Sequence, residues 1–392
     1  MKRIFFLTVI TAFFLSGMVF LAERYLGFDK YSEISKIIKR IRKTERVMPE
    51  IGDLFVPEGF EIDVFADIKN LGFPRVLAFD ENGVLFASLT LSGKIVALPD
   101  KDNNLKTDGA IVVMENLNKP HGIKFYRDYL FIAETNRVVR YDYDPETMSL
   151  TNPLELFRLK EGGINDTKTI EIFNGNLYTS VGSSCDACLE KDEFRATMLV
   201  SGIQEGEPKV FARGLRNTAF FTIDDKGNIW GNDMGRDLLG DNLPPDELNI
   251  IEENANYGWP YCYGNKIRDM KFRSLEALDR CKDTQESLFD YPANSFPSGL
   301  KFIENEAFPE DFKGDLLVAL HGSGNISRTA GYKIVKLKIK DEKVVGIDDF
   351  VYGWLKENGK IFGRPVDLVF DREGRLFISD DKTGLIYVLR RI

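Results

Sequence analysis

The stretch LRNTAFFTIDDKGNIWGN (215–232) decides the fold. A polar pair, Arg216–Asn217, leads into an apolar strand, Ala219 to Ile223; Asp224 to Gly227 supplies a turn; a second short strand follows, Asn228 to Gly231. Apolar alternation bracketed by Asp and Gly reads as paired strands. The phrase returns as FPRVLAFDENGVLFAS (73–88), KPHGIKFYRDYLFIAE (119–134) and TKTIEIFNGNLYTSV (167–181). It returns again as FPSGLKFI with KGDLLVAL (296–320) and as GRPVDLVFDREGRLFISD (363–380). The second-strand residues Leu85, Leu130, Leu177, Ile229, Leu316 and Leu376 lie 45, 47, 52, 87 and 60 residues apart. Short-strand repeats at this period are propeller blades, so six copies predict an all-β, six-bladed β-propeller. A parallel β-helix would have shorter repeats without long outer loops. Phe60 to Phe65 is expected to complete the last blade and close the ring. The widest interval carries an insertion, about 262–295, with a helix-like piece around Arg273–Arg280.

Outward from the repeats, the domain expectation is a propeller over 51–392, a basic stalk over 23–50 and a signal or membrane anchor over 1–22. Ile4 to Ala22 holds no charge and follows Lys2 and Arg3. About 20 apolar residues span a bilayer, and no small-x-small cleavage site stands out, since Phe20 occupies the −3 position. The reading is an uncleaved anchor. Ile34, Ile37, Ile38 and Ile41 share a helical face among basic residues, as an amphipathic stalk on anionic lipid would require. Net charge is −9, yet residues 1–50 hold ten Lys/Arg and five Asp/Glu, which leaves −14 on residues 51–392. So acidic a body argues against nucleic acid as a partner.

The basic stalk alone would place the domain in the cytoplasm; the cysteines point the other way. Cys185, Cys188, Cys262 and Cys281 allow three pairings, of which Cys185–Cys188 with Cys262–Cys281 is the local one. In an exported chain disulfides are the expectation. No His lies near the CxxC to suggest zinc, and Leu189 stands where covalent haem would need a His.

In each phrase the first polar slot holds Arg75, His121, Lys168, Asn217, Ser298 or Arg364. Innermost propeller strands line a central channel, so these side chains are expected to ring one end as a cationic, donor-rich cup suited to a carboxylated planar ligand. The alternative is a set of strand-end polar residues bound to loop carbonyls. Behind Arg216–Asn217 comes a loop rich in oxygen ligands: Asp233, Asp237, Asp241, Asn242, Asp246 and Glu247, then Tyr257-Gly-Trp-Pro. Such a loop offers a hard cation its oxygens, or is a solvated acidic turn.

From about Leu54 onward the chain resembles the glucose/sorbosone dehydrogenase family, nearest its sorbosone dehydrogenase-like branch. The phrases that carry this are VPEGFEIDVFA, PHGIKF with AETNRVVRY, LYTSVGSSCDAC, GLRN, GRDLLGDNLPPDELN with NYGWPYCYG, LVALHGS with GYKIVKL, and FGRPVDLVF with FISDDKTG. The resemblance implies a six-bladed propeller that uses pyrroloquinoline quinone (PQQ) and calcium. By that resemblance Arg216 and Asn217 hold the quinone and Arg364 binds its carboxylates, as guanidinium forks do. Glu247 and the Tyr257 main chain match structural calcium ligands, and Asp241–Asn242 sits where main-chain oxygens hold the calcium that touches the quinone.

Two departures bear on activity. The family's base histidine precedes a T-[RK]-T-[IL] strand; here Asn165 occupies its place, and an amide cannot be a general base. Asp166 is the neighbouring candidate for that role. The family's HGSWNR has become His321-Gly-Ser-Gly-Asn-Ile. The first reading is therefore an exported, membrane-anchored sugar or alcohol dehydrogenase that passes electrons to a respiratory acceptor. The second is a non-catalytic propeller binding module at the cell surface. A calcium-dependent lactonase would want carboxylates in a ring that is cationic here.

Overall fold

Each copy of the repeated phrase forms the two inner strands of a four-stranded antiparallel sheet, and six such sheets make the propeller. The computed structural model describes residues 54–392 apart from 205, 238 and 324–328. The expected anchor and stalk lie outside these residues. Among the described residues no helix is long and apolar enough to cross a membrane.

Blade 1 comprises Leu77–Phe79, Leu85–Leu89, Lys94–Leu98 and Ile111–Met114; blade 2 comprises Ile123–Tyr126, Tyr129–Ala133, Arg137–Asp144 and Ser149–Arg158. Blade 3 has Ile170–Phe173, Asn176–Val181, Thr197–Gly202 and Lys209–Arg213; blade 4 has Phe220–Ile223, Ile229–Asp233, Asp246–Ile251 and Phe289–Tyr291. Blade 5 has Pro297–Phe302, Leu316–Leu320, Lys333–Lys340 and Lys343–Val351. Blade 6 takes Pro365–Phe370, Leu376–Asp380 and Leu385–Arg391 from the C-terminal end and its outer strand, Phe60–Asp67, from the N-terminal end. Phe60 pairs with Arg391 and Asp67 with Leu385, which closes the ring as expected.

The inner hairpins show why the phrase reads as it does. In blade 1 Asp80 accepts N–H bonds from Asn82 and Val84, in blade 4 Asp224 accepts from Lys226 and Asn228, and in blade 6 Asp371 accepts from Arg375. The fourth turn residue, Gly83, Gly227 or Gly374, takes a left-handed φ of 80°, 92° or 79°, which glycine adopts without a Cβ penalty. Second strands lie between neighbouring blades, so both faces are apolar; Leu85–Leu89, Leu316–Leu320 and Leu376–Asp380 are buried at every position. Each buried Leu or Ile there stabilises the ring by about 1.5–3 kcal/mol.

Hydrogen bonds stitch adjacent blades: Gly122 N to Lys168 O, Thr169 Oγ1 to Ala219 O, Asn232 Nδ2 to Ser298 O, Ser298 Oγ to Val366 O, and Ser379 Oγ to Arg75 O. Ser298 is thus turned into the contact between blades 5 and 6, not into the expected cup. The channel below the mouth is a cavity of about 220 Å³, lined by inner-strand residues and by Lys124, Glu171, Lys301 and Asp367. Glu171 bridges Lys124 and Lys301 there.

The insertion of blade 4 contains a ribbon, Cys262–Tyr263 with Ile267–Arg268, and a helix, Leu275–Lys282. Disulfides join Cys262 to Cys281 and Cys185 to Cys188, the local pairing. Asp186, inside the small Cys185–Cys188 loop, is the fulcrum of this region. Its carboxylate meets Arg216 at 2.9 Å and Arg236 at 3.3 Å, and its carbonyl accepts from Trp259 Nε1 at 3.2 Å.

Candidate active site

Two buried carboxylates place the mouth residues. Asp233, at the end of the second strand of blade 4, accepts from Arg216 N at 2.9 Å, Asn217 N at 2.7 Å and Thr218 Oγ1 at 3.0 Å. Asp380 does the same in blade 6, accepting from Arg364 N, Lys382 N and Thr383 N, each at 3.0 Å. Burial pushes both carboxyls up to about 6 although these N–H groups pull them down. Neither residue was among the sequence candidates for the cup, though both end a second strand of the repeat.

The cup residues divide into two groups. In one, Arg75 Nη1 lies 2.5 Å from Asp381 Oδ2, and His321 Nε2 lies 2.8 Å from Asp381 Oδ1. Arg364 stands beside them, its guanidinium 5.5 Å from the Tyr332 ring centroid and 3.3 Å from the Tyr332 hydroxyl. Burial alone would raise the Asp381 carboxyl; His321, Arg75 and Arg364 outweigh it and hold Asp381 well below the usual range. In the other group Asn165 Nδ2 donates to Ser183 Oγ at 2.8 Å, and a Cβ on Gly182 would lie 2.6 Å from Asn165 Cβ and 3.0 Å from Asn217 Oδ1. His121 Nδ1 lies 3.1 Å from Thr169 Oγ1, whose own hydrogen goes to Ala219 O, so Nδ1 carries the ring hydrogen and Nε2 is an acceptor.

His121 and Lys168 are fully buried, so Arg75, Arg364, Asn165, Asn217, His321 and Asp381 form the accessible part. Asp166 is clamped between Lys119 Nζ at 3.8 Å and Arg195 Nη1 at 3.7 Å. Arg216 also differs from expectation. Its Nη2 pairs with Asp186 and Asp237, its Nη1 donates to Met234 O, and its Nε donates to Asp186 O. The anion expected from a ligand is supplied within the chain. By contrast, Arg364 makes no ion pair among the described residues, and Arg75 Nε and His121 Nε2 are buried without a hydrogen-bond partner. Two guanidinium groups at one mouth, one of them without a counter-ion among the described residues, fit an acceptor-rich ligand.

Lys168 Nζ donates to Asp166 O at 2.6 Å. Burial first, then Arg195 and Lys119, lower its ammonium to about 7, against the opposing pull of Asp166. Between that value and the 10.5 of an exposed lysine the unfolded chain holds one more proton, so this residue makes stability rise with pH. Relative to Lys168→Met, the wild type should gain up to about 1.4 kcal/mol per pH unit over that window, measured by urea unfolding. Parallel profiles for the two proteins would mean Lys168 titrates normally.

The acidic loop is more dispersed than its sequence suggests. Asp246 bonds Gly235 N and Phe296 N, one through each oxygen, and burial pushes it up to about 7. Glu247 accepts from Gly264 N and from Asn249 Nδ2, and burial with nearby Asp233 pushes it up to about 8. Asn249 Oδ1, two residues along the same strand face, is buried without a partner. Asn249 was absent from the sequence candidates. Asp241 and Asn242 line a separate cavity of about 360 Å³ with Tyr291 and Thr329. The Tyr257 hydroxyl bonds Ile250 O and Glu252 N. No three carboxylates gather within 4.8 Å among the described residues. A cation here would draw on Glu247, Asn249 Oδ1 and main-chain oxygens.

With the propeller and its mouth in view, comparison with known proteins adds a family. The sequence profile of the TrAA12-like family matches residues 54–392, every blade included. The chain belongs to the TrAA12-like family. A relative of this TrAA12-like chain in Borreliella burgdorferi, described as uncharacterized, is 28% identical over 354 residues, covering 85% of this chain and 90% of its own length. A pyrroloquinoline quinone-dependent pyranose dehydrogenase of Coprinopsis cinerea is 24% identical over 421 residues, and the match spans 88% of this chain but 54% of that enzyme. The holo PQQ domain of pyranose dehydrogenase from Coprinopsis cinerea superposes with a TM-score of 0.75 at 21% identity, covering 89% of this chain and 99% of that domain. At that identity the likeness speaks for the fold.

Proposed function

We propose that this TrAA12-like chain is an extracytoplasmic quinoprotein dehydrogenase that oxidises a sugar or small alcohol and passes the electrons to a respiratory acceptor. The observation that carries the reading is Arg364, a guanidinium with no ion pair among the described residues, at the mouth it shares with Arg75, whose Nε has no hydrogen-bond partner. PQQ is planar and bears carboxylates, and guanidinium forks suit carboxylates. Arg364 and Arg75 would hold it, with Asn217 at the side; Arg216 supports the wall through Asp186. When bound, the quinone supplies the two-electron acceptor, and calcium beside it acts as a Lewis acid. The chain's own residues bind and orient the substrate and take its proton. The Coprinopsis cinerea relative is named for pyranoses, which favours a sugar; the motifs stand nearest the sorbosone dehydrogenase-like branch.

The same proposal places a membrane anchor at 1–22, a basic stalk at 23–50 and the propeller at 51–392, with the insertion at 262–295. Asn165 at the base position favours the second reading, a propeller that binds but does not turn over. Reconstitution separates the two. Protein incubated with PQQ and calcium should show a bound quinone spectrum and reduce an artificial dye with aldoses. A quinone spectrum without dye reduction leaves the binding module; no bound quinone removes the quinoprotein reading altogether.

A further inference from the structure

Oxidation of an alcohol requires that the hydroxyl proton leave, and Asn165 has no basic atom to receive it. Three neighbouring groups are unsuited as they stand. His121 and Lys168 are fully buried, and Asp166 is clamped between Lys119 and Arg195. His321 differs from all three. Its side chain is 16% exposed and that of Asp381 15%, at the mouth that also holds Arg75 and Arg364.

The imidazole is oriented. A carboxylate only accepts hydrogen bonds, so the 2.8 Å contact from His321 Nε2 to Asp381 Oδ1 puts the ring hydrogen on Nε2. That leaves Nδ1 with its lone pair, and Nδ1 has no partner among the described residues. Asp381 is itself fixed by Arg75 at 2.5 Å, and its backbone N–H reaches Arg364 O at 3.3 Å. A carboxylate that holds one imidazole nitrogen while the other faces a reactant is the arrangement by which histidine serves as a base.

We propose that His321 is the general base of this chain, positioned by Asp381: its Nδ1 takes the hydroxyl proton while the substrate carbon gives up its hydrogen, with the bonding electron pair, to a bound orthoquinone, leaving a carbonyl. The inference rests on the quinoprotein reading above. Burial lowers the imidazole from its usual value, as do Arg75 and Arg364, against Asp381 which raises it; the ring is therefore neutral and ready to accept at neutral pH. Asp381 contributes as a positioning residue.

The test has one arm without cofactor and one with it. The chain has two histidines, so ¹⁵N-histidine spectra of the full-length protein are assigned with His321→Gln and His121→Gln. At pH 7 His321 should show the Nε2–H tautomer and titrate below an exposed histidine, with the titration moved further down in Asp381→Asn. With PQQ and calcium, His321→Gln should keep its PQQ affinity within about threefold and lower kcat by about 10²–10⁴. The acidic limb of the kcat/KM profile should disappear in His321→Gln and move to lower pH in Asp381→Asn. An Nδ1–H tautomer, or wild-type turnover in His321→Gln, overturns the base assignment and leaves the quinoprotein reading standing. If wild type binds no PQQ, both fall. Should His321→Gln fail to fold, the tautomer and the Asp381→Asn profile decide.

Discussion

Arg364→Ala should lower PQQ affinity by about a hundredfold or more, whereas Arg216→Ala should first cost stability. The two arginines look alike in the sequence, each at the start of an inner strand and each followed by a polar or turn-forming residue. Their surroundings differ. Arg364 is half-buried, donates to the Tyr332 hydroxyl beside that ring, and makes no ion pair among the described residues. A carboxylated ligand would be its counter-ion, and truncating one side of such a pair costs about 2–5 kcal/mol. The Arg216 side chain is 5% exposed and already meets Asp186 and Asp237. Its loss leaves the buried Met234 carbonyl without this donor, about 1–3 kcal/mol of destabilisation. Quinone fluorescence titration and urea unfolding on both variants separate the effects. If Arg364→Ala bound PQQ like wild type while Arg216→Ala lost binding at unchanged stability, the roles would have to be exchanged.

Local features are legible in the sequence. The six anchors Leu85, Leu130, Leu177, Ile229, Leu316 and Leu376 all fall in second strands and are all at most 2% exposed. Turn, strand and burial repeat within a short window, and each copy reports on the same environment. Ring closure was expected from Phe60 to Phe65, and the closing strand runs Phe60–Asp67. The mouth was legible only in part. That Arg75, His121 and Arg364 approach one end follows from the alternation, but their partners do not. Asp381 lies 306 residues from Arg75 and 60 from His321 along the chain. Asp186 reaches Arg216 from inside a disulfide loop. Such pairings are made by ring geometry, which no local window contains. Asn249 is the exception: it stands two residues from Glu247 on the same strand face, so period-two alternation could have found it.

Calcium should raise the melting temperature, and chelation should lower it by several degrees, with Glu247→Ala indifferent to both. In the metal-free protein Glu247 is a buried carboxyl pushed up to about 8, with Asp233 beside it and an unpartnered Asn249 oxygen on the same face. A folded-state value above the 4.5 of an exposed glutamate means that the folded chain holds the extra proton between the two values. The stability Glu247 contributes is therefore complete below about 4.5 and is lost as pH rises through about 8. A divalent cation replaces that proton, so it should stabilise more at pH 8 than at pH 6, and its binding should release protons. At a hundredfold excess over Kd the stabilisation is about 2.7 kcal/mol. At roughly 2 °C per kcal/mol for a domain of this size, that predicts a shift of about 5 °C. Differential scanning calorimetry with calcium and with chelator, at both pH values, measures it. Superimposable curves in the wild type would show that Glu247 holds no cation and that its buried carboxyl is simply protonated. A response that survives Glu247→Ala would move the ion to the cavity at Asp241 and Asn242, where the same experiment on Asn242→Ala becomes decisive.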